Sequence, residues 1–133
     1  MDKDRILAMQ PGRELDALVA EKVMGWVDLW TDGKSYMAYP PHEQKMPVGE
    51  AERDPIWPYS TDIAAAWEVF HKVKTMLFSK RKKFMENLQW IVSKNNPPVG
   101  VPDWEAGLIE YSDLWWFVEP ADICKAALLT VID

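Results

Sequence analysis

The sequence has very little of the residue types on which metal sites and disulfide-stabilised folds depend. It contains one cysteine and two histidines in 133 residues. A single thiol, Cys124, cannot form a disulfide within the chain, and together with His42 and His71 it does not have the spacing of a zinc site. We therefore expect no structural metal, and nothing in the sequence indicates a cofactor.

Long hydrophobic runs are also missing. No stretch reaches the roughly 18 apolar residues that a membrane-spanning helix needs, and the first ten residues lack the basic start and apolar run of a signal peptide. We expect a cytoplasmic protein that does not bind membranes. With 48% hydrophobic and 27% charged residues, the chain has the composition of an ordinary globular protein. We predict one domain spanning residues 1–133.

Basic residues are scarcer than acidic ones, 15 against 21, which gives a net charge of −6 and disfavours nucleic acid as a partner. The charges are segregated along the chain. Residues 1–62 carry 12 acids and 7 bases, residues 63–99 carry 2 and 7, and residues 100–133 carry 7 and 1. The basic middle has three interpretations: an anion site, a surface that pairs with the acidic segment of a neighbouring subunit, or an intermixed solvated surface.

The sequence shows no arrangement of residues typical of catalysis. There is no defensible Ser-His-Asp set, no glycine-rich phosphate loop and no metal-binding motif. His42 next to Glu43 is too little for an acid–base pair, and His71 falls within a predicted helix. We predict that the protein is not an enzyme.

Capping and turn residues predict the first half of the fold. Apolar residues at helical spacing follow Gly12, and Gly25 is placed to end that helix. Trp26–Trp30 and Ser35–Tyr39 flank an Asp-Gly turn and predict a hairpin. Five prolines between Pro40 and Pro58 exclude a helix and a central strand, so this segment is predicted to be a long loop.

The second half contains one ambiguous segment. A second helix is predicted from Ile63 to Leu77 behind Asp62, and a last helix opens at Pro120. Phe84–Val92 fits both a helix and a strand, and we predict a strand; Trp104–Val118 is predicted to supply one or two more. The result is an α+β fold in which three helices layer on a central, mainly antiparallel sheet of four or five strands.

Three blocks of the sequence resemble a known family. They are PGRELDALVAEKVMGW at residues 11–26, YSTDIAAAWEV at residues 59–69 and ICKAALL at residues 123–129. They are similar to the opening, central and closing helices of the phage ABA sandwich domain, a family of small phage and prophage proteins. The resemblance implies an α-β-α sandwich and a phage origin, and it implies no particular reaction. The apolar positions in these blocks are explained by packing between helix and sheet.

Three features remain as candidates for a binding site, and one of them is the loop with Trp57, Tyr59, His42 and Glu43. The run from Lys80 to Lys83 beyond the central helix suits either a bound phosphate or a solvated loop. The chain also has eight tryptophans. If Trp115 and Trp116 lie in a strand, they point to opposite faces, so one of them is exposed or at an interface. Basic and exposed aromatic side chains together bind the phosphate and base of a nucleotide, whereas core or dimer packing is the alternative. The predicted ligand-binding residues are Lys80, Arg81, Lys82, Lys83, Trp57, Tyr59, Trp115 and Trp116.

Two functions follow as hypotheses. The first is a non-catalytic, phage-derived binding protein in the host cytoplasm, an anti-defence factor that sequesters a nucleotide immune signal or binds a host defence protein. The alternative is an interaction or inhibitor module that docks on a host or phage protein through an acidic surface, formed by Asp103, Glu105, Glu110, Asp113, Glu119 and Asp122. Segregated charge and surplus aromatic residues lead us to expect a homo-oligomer.

Overall fold

A computed structural model of the chain describes residues 2–41, 53–97 and 107–132. The described residues form six α-helices and one three-stranded antiparallel sheet in the order β1-β2-β3. The helices are α1 (Lys3–Ala8), α2 (Arg13–Val19), α3 (Ile63–Val73), α4 (Phe78–Asn95), α5 (Tyr111–Phe117) and α6 (Pro120–Val131). The strands are β1 (Val27–Thr31), β2 (Tyr36–Tyr39) and β3 (Asp54–Pro55).

The predicted first helix is confirmed. α2 continues into a π-helical turn, Ala20–Met24, and the two together bury Leu15, Val19 and Val23. Gly25 ends this helix in the left-handed region, with φ of 86°. Glycine has no Cβ atom and adopts that conformation without steric cost, so Gly25 stops the helix where the sequence predicts.

The predicted hairpin is confirmed as β1 and β2, which pair antiparallel. The Asp32 carboxylate accepts hydrogen bonds from the amides of Lys34 and Ser35, and these bonds stabilise the turn. β3 lies at the sheet edge and contains Pro55, where a residue without an N–H is tolerated. It lies within the proline-rich segment, of which residues 40–41 and 53–58 are described; residues 42–52, with His42 and Glu43, lie outside the described residues.

The second predicted helix is confirmed as α3, which ends at Val73 rather than Leu77. The Asp62 carboxylate accepts a hydrogen bond from the amide of Ala64 and caps the helix.

The prediction of a strand at Phe84–Val92 is wrong, because this segment is the middle of the 18-residue helix α4. The buried residues are Phe84, Leu88, Ile91 and Val92, which share one helical face. Trp90, on which the strand interpretation depended, is 37% exposed. No glycine or proline interrupts the chain from Phe78 to Asn95, and lysine, arginine and leucine favour a helix there.

The prediction of strands within Trp104–Val118 is also wrong for the part of this segment that the structure describes. Residues 111–117 form α5, and residues 104–106 lie outside the described residues. The described part of the chain therefore contains three strands rather than four or five, and six helices rather than three. The α+β class and the antiparallel pairing are confirmed.

The final predicted helix, α6, is confirmed and is the most deeply packed element. It buries nine of its residues, among them Ile123, Cys124 and Leu128, and it packs against α1, α2, α3 and α4. All five residues of β1 are exposed. A helix therefore occupies the centre of the core, and the central position expected for the sheet is not observed.

Candidate functional site

The basic run lies in the first two turns of α4 and not in a solvated loop, which was one of its two interpretations. α4 begins at Phe78, so Lys80 to Lys83 follow directly on its N-terminus. Positive charge at this end of a helix is opposed by the helix dipole. The loop interpretation assumed that the run complements the C-terminal end of the preceding helix. This is not what the structure shows.

Lys80 and Arg81 both make contacts within the fold. The Nζ atom of Lys80 donates a hydrogen bond of 3.1 Å to the carbonyl oxygen of Thr130, in the last turn of α6. Such carbonyls have no partner within their own helix, so this contact stabilises the α6 end. The guanidinium of Arg81 lies 5.7 Å from the ring centroid of Phe78. Arg81 and Lys82 are exposed.

Trp57 and Tyr59 differ sharply in accessibility. Tyr59 is buried, and its hydroxyl accepts a 3.0 Å hydrogen bond from Nε1 of Trp26. Burial raises the pKa of Tyr59 to about 12. Trp57 is exposed, with its ring centroid 6.2 Å from that of Tyr59. Tyr59 therefore belongs to the core, and of this pair only Trp57 is accessible to a ligand.

Trp115 and Trp116 are consecutive residues of a helix, so they do not point to opposite faces as a strand would require. The Trp115 ring packs on α3, with its centroid 5.9 Å from that of Trp67 and 5.7 Å from that of Phe70. Trp116 is 82% exposed. The eight residues predicted to form one site thus lie on α4, on the segment before α3 and on α5.

Lysine and tryptophan do come together elsewhere, around Trp90 in the C-terminal half of α4. The Nζ atom of Lys3 lies 5.2 Å from the Trp90 ring centroid, and that of Lys94 lies 5.7 Å from it. Both distances are within the range of cation–π attraction. Next to this ring is a pocket of about 190 Å³, which we call the Trp90 pocket. Its lining residues are Leu7, Trp90, Ile91, Lys94, Asn95 and Lys125.

Three helices supply the positive charge around the Trp90 pocket. Lys3 comes from α1, Lys94 from α4 and Lys125 from α6. The Nζ atom of Lys125 is held by a 3.1 Å hydrogen bond to the carbonyl oxygen of Leu7. Asp122 supplies a carboxylate nearby, since it accepts a 3.0 Å hydrogen bond from Nδ2 of Asn95.

This arrangement suits a small anion with a flat ring. An ammonium group binds phosphate oxygens, and an indole face stacks on a base. Because ligand pockets usually measure about 300–1,000 Å³, a pocket of about 190 Å³ would enclose only part of a nucleotide.

Sequence reasoning missed the Trp90 pocket. Trp90 and Lys94 are four residues apart, a spacing that places side chains side by side only on a helix. The strand interpretation of Phe84–Val92 does not place these two side chains next to each other, so their spacing was not recognised as part of a site. Lys3 and Lys125 are distant in sequence and reach the pocket only through the packing of α1 on α6 and of α6 on α4.

One residue of the predicted acidic surface is buried in the structure. Asp122 is buried and caps α6: its Oδ2 atom accepts a hydrogen bond from the amide of Glu119. Burial raises the pKa of Asp122. Glu110, Asp113 and Glu119 are exposed, and Asp103 and Glu105 lie outside the described residues. Asp122 is therefore a structural residue and not part of an exposed acidic patch.

The single cysteine is buried and is not placed to act as a nucleophile. Cys124 lies on α6 in the hydrophobic core. Burial raises the pKa of its thiol well above the usual range, which disfavours a thiolate nucleophile.

Among the residues that the structure describes, no group of three or more His, Cys, Asp or Glu side chains could hold a metal ion. No helix in the described ranges has both the length and the hydrophobicity to cross a membrane.

Fold and site together define a small α+β domain with a helical core, a short antiparallel sheet and a cationic, aromatic pocket. The sequence profile of the phage ABA sandwich domain matches residues 17–107. The match spans more than half of the chain, and the chain belongs to this family. It includes the whole of the second resembling block and most of the first, whereas the third lies beyond it. No curated protein and no solved structure matches the chain.

Proposed function

We propose that this phage-family protein is a non-catalytic binding protein that sequesters a small anionic nucleotide in the Trp90 pocket and so acts against a host immune signal. The observation that carries the proposal is the convergence of two lysine ammonium groups, Lys3 and Lys94, on one tryptophan ring beside a pocket. The base would stack on Trp90 in place of one ammonium group. The displaced lysine would then bind the phosphate.

The surroundings of the buried thiol and of the two buried carboxyl groups support binding without catalysis. The thiol of Cys124 is enclosed in the core. The buried carboxyls of Asp16 and Asp122 are each hydrogen-bonded to their own neighbours, Ser60 for one and Glu119 with Asn95 for the other. Both carboxyls are thus used in holding the fold together. The acidic docking module has less support, because Asp122 is unavailable to it.

Mass spectrometry of molecules released by heat tests this function. Purified protein is exposed to a panel of nucleotide signals, separated from unbound nucleotide and then denatured. Recovery of one nucleotide, unmodified and equimolar with the protein, is expected. Recovery of a cleaved or otherwise changed nucleotide would establish an enzyme, and recovery of none would overturn sequestration.

Two tryptophan variants locate the binding site. Trp90→Leu keeps an apolar side chain at the pocket but removes the stacking surface, and we expect an affinity loss of about tenfold. Trp30→Leu is the matched control, because Trp30 is an exposed tryptophan on β1. Equal affinity in the wild type and the Trp90 variant would exclude this pocket as the site.

A further inference from the structure

Two clusters of exposed apolar side chains carry opposite charge. The first is at the connection between α3 and α4, where Leu77 is 78% exposed and Phe78 is 72% exposed. Arg81 and Lys82 follow in the first turns of α4, and both are exposed. We call these four residues the basic corner.

The second cluster lies on α5. Tyr111, Trp115, Trp116 and Phe117 are exposed there. Glu110, at the N-cap of α5, and Asp113, in its first turn, are exposed acids beside them. We call these six residues the acidic helix surface.

A chain of aromatic contacts joins the elements that carry the two clusters. The Phe70 ring centroid lies 5.7 Å from that of Trp115 on α5 and 5.9 Å from that of Phe84 on α4. Helices α4 and α5 also pack against each other directly. The two clusters are therefore held in a fixed relation by the fold and do not lie on independent segments.

We propose that a second copy of this chain covers both clusters, with the basic corner of each copy docked on the acidic helix surface of the other. The six large apolar side chains of the two clusters are exposed, and a partner that covers them removes them from water. A two-fold axis makes both contacts at once, because in such a dimer each surface meets its complement on the partner. Charge complementarity selects a second copy as the occupant, since each cluster carries the charge that the other lacks.

A charge-swap experiment tests this dimer. One variant carries Arg81→Glu with Lys82→Glu, and the other carries Glu110→Lys with Asp113→Lys. Each variant alone would place like charges in both contacts of its own dimer, so each is expected to be monomeric by light scattering after size exclusion. In an equimolar mixture both contacts again join opposite charges, and we expect a dimer with one copy of each. All four positions are exposed, and circular dichroism confirms that each variant is folded.

An apolar substitution tests the same surface independently. Trp116→Glu places a charge at an aromatic residue that is 82% exposed and is expected to give a monomer. Trp30→Glu, at an exposed tryptophan on β1, is expected to leave the dimer intact. A monomeric wild-type protein, a mixture that stays monomeric, or a dimer lost with Trp30→Glu but kept with Trp116→Glu would each overturn the proposal.

Discussion

The Oδ1 atom of Asp16 accepts two hydrogen bonds from Ser60, one of 2.7 Å from the backbone amide and one of 2.6 Å from the hydroxyl. Both residues are buried. The bonds join α2 to the segment that precedes α3, across 44 positions of sequence. The Ser60 hydroxyl oxygen also accepts a hydrogen bond of 2.9 Å from the amide of Gly12, at the start of α2.

Replacing Ser60 by alanine should destabilise the fold by about 1–3 kcal/mol. The substitution removes one donor from a buried carboxylate and leaves the Gly12 amide without this acceptor, and unsatisfied buried groups have costs of that size. Urea denaturation measures the free energy of unfolding. Ser79→Ala, at an exposed position of α4, is the control and should change stability by less than about 0.5 kcal/mol.

Asp16 should make stability depend on pH in the opposite sense to an ordinary ion-paired carboxylate. Burial is the largest effect on its pKa and raises it above the usual 3.8, although the Ser60 hydrogen bonds lower it. The folded state therefore binds the proton more tightly than the unfolded state. Ionised Asp16 costs stability at neutral pH, and this cost disappears as pH falls through the raised pKa to below 3.8.

Asp16→Asn isolates this effect, because the amide oxygen can still accept both Ser60 hydrogen bonds but the side chain does not ionise. As the pH falls from about 7 to about 4, we expect the unfolding free energy of the wild type to rise relative to that of this variant. Urea denaturation of both proteins across this range measures the difference. A difference that is constant with pH would show that Asp16 does not titrate in this window.

Tyr59→Phe separates a core role from a ligand role. The variant leaves the buried Nε1 group of Trp26 without its acceptor, and we expect a loss of about 1–3 kcal/mol in unfolding free energy. Absorbance titration should show that the tyrosine with a pKa of about 12 is gone. Nucleotide affinity should be unchanged, and a weaker affinity in a folded variant would return Tyr59 to the binding site.

Local signals in the sequence account for the elements that were predicted correctly. Asp62, Pro120 and Gly25 act through their nearest neighbours, and the Asp32-Gly33 turn sets the hairpin in the same way. These interactions involve residues within a few positions of each other. They therefore specify α2, α3, α6 and the hairpin without information from the rest of the chain.

The errors arose where tertiary packing decides between local alternatives. Phe84–Val92 fits two periodicities, and in the structure Ile91 rather than Trp90 is buried, as the helical periodicity requires. The aromatic residues of α5 favour a strand by propensity, but this preference depends strongly on context. The Trp90 pocket draws Lys3, Lys94 and Lys125 from three helices. No spacing in the sequence could have placed them together.

Gly25→Ala should cost about 1–2 kcal/mol, because a side chain in the left-handed region clashes with its own backbone. A Cβ atom at this position would meet Pro41 at 3.8 Å, which is an ordinary contact, so the cost arises from φ and not from crowding. Gly107→Ala is the matched control, since no atom lies within 4 Å of a Cβ there and its φ is not positive. Thermal unfolding compares the two variants, and an equal loss in both would refute the explanation.

Lys94→Gln should weaken nucleotide binding at the Trp90 pocket by about tenfold, because a hydrogen bond to a charged group contributes about 1.5–3 kcal/mol. Lys94 is a better probe than Lys125, whose Nζ atom also holds the carbonyl of Leu7, so that its loss would affect packing as well. Lys82→Gln, at an exposed lysine of α4, is the control for net charge. Calorimetric titration between about 0.05 M and about 0.5 M NaCl should show a shallower salt dependence for Lys94→Gln than for either the wild type or the control, since one screened contact is missing. If Lys82→Gln weakens binding as much as Lys94→Gln does, the attraction comes from the overall charge of the protein and not from the pocket.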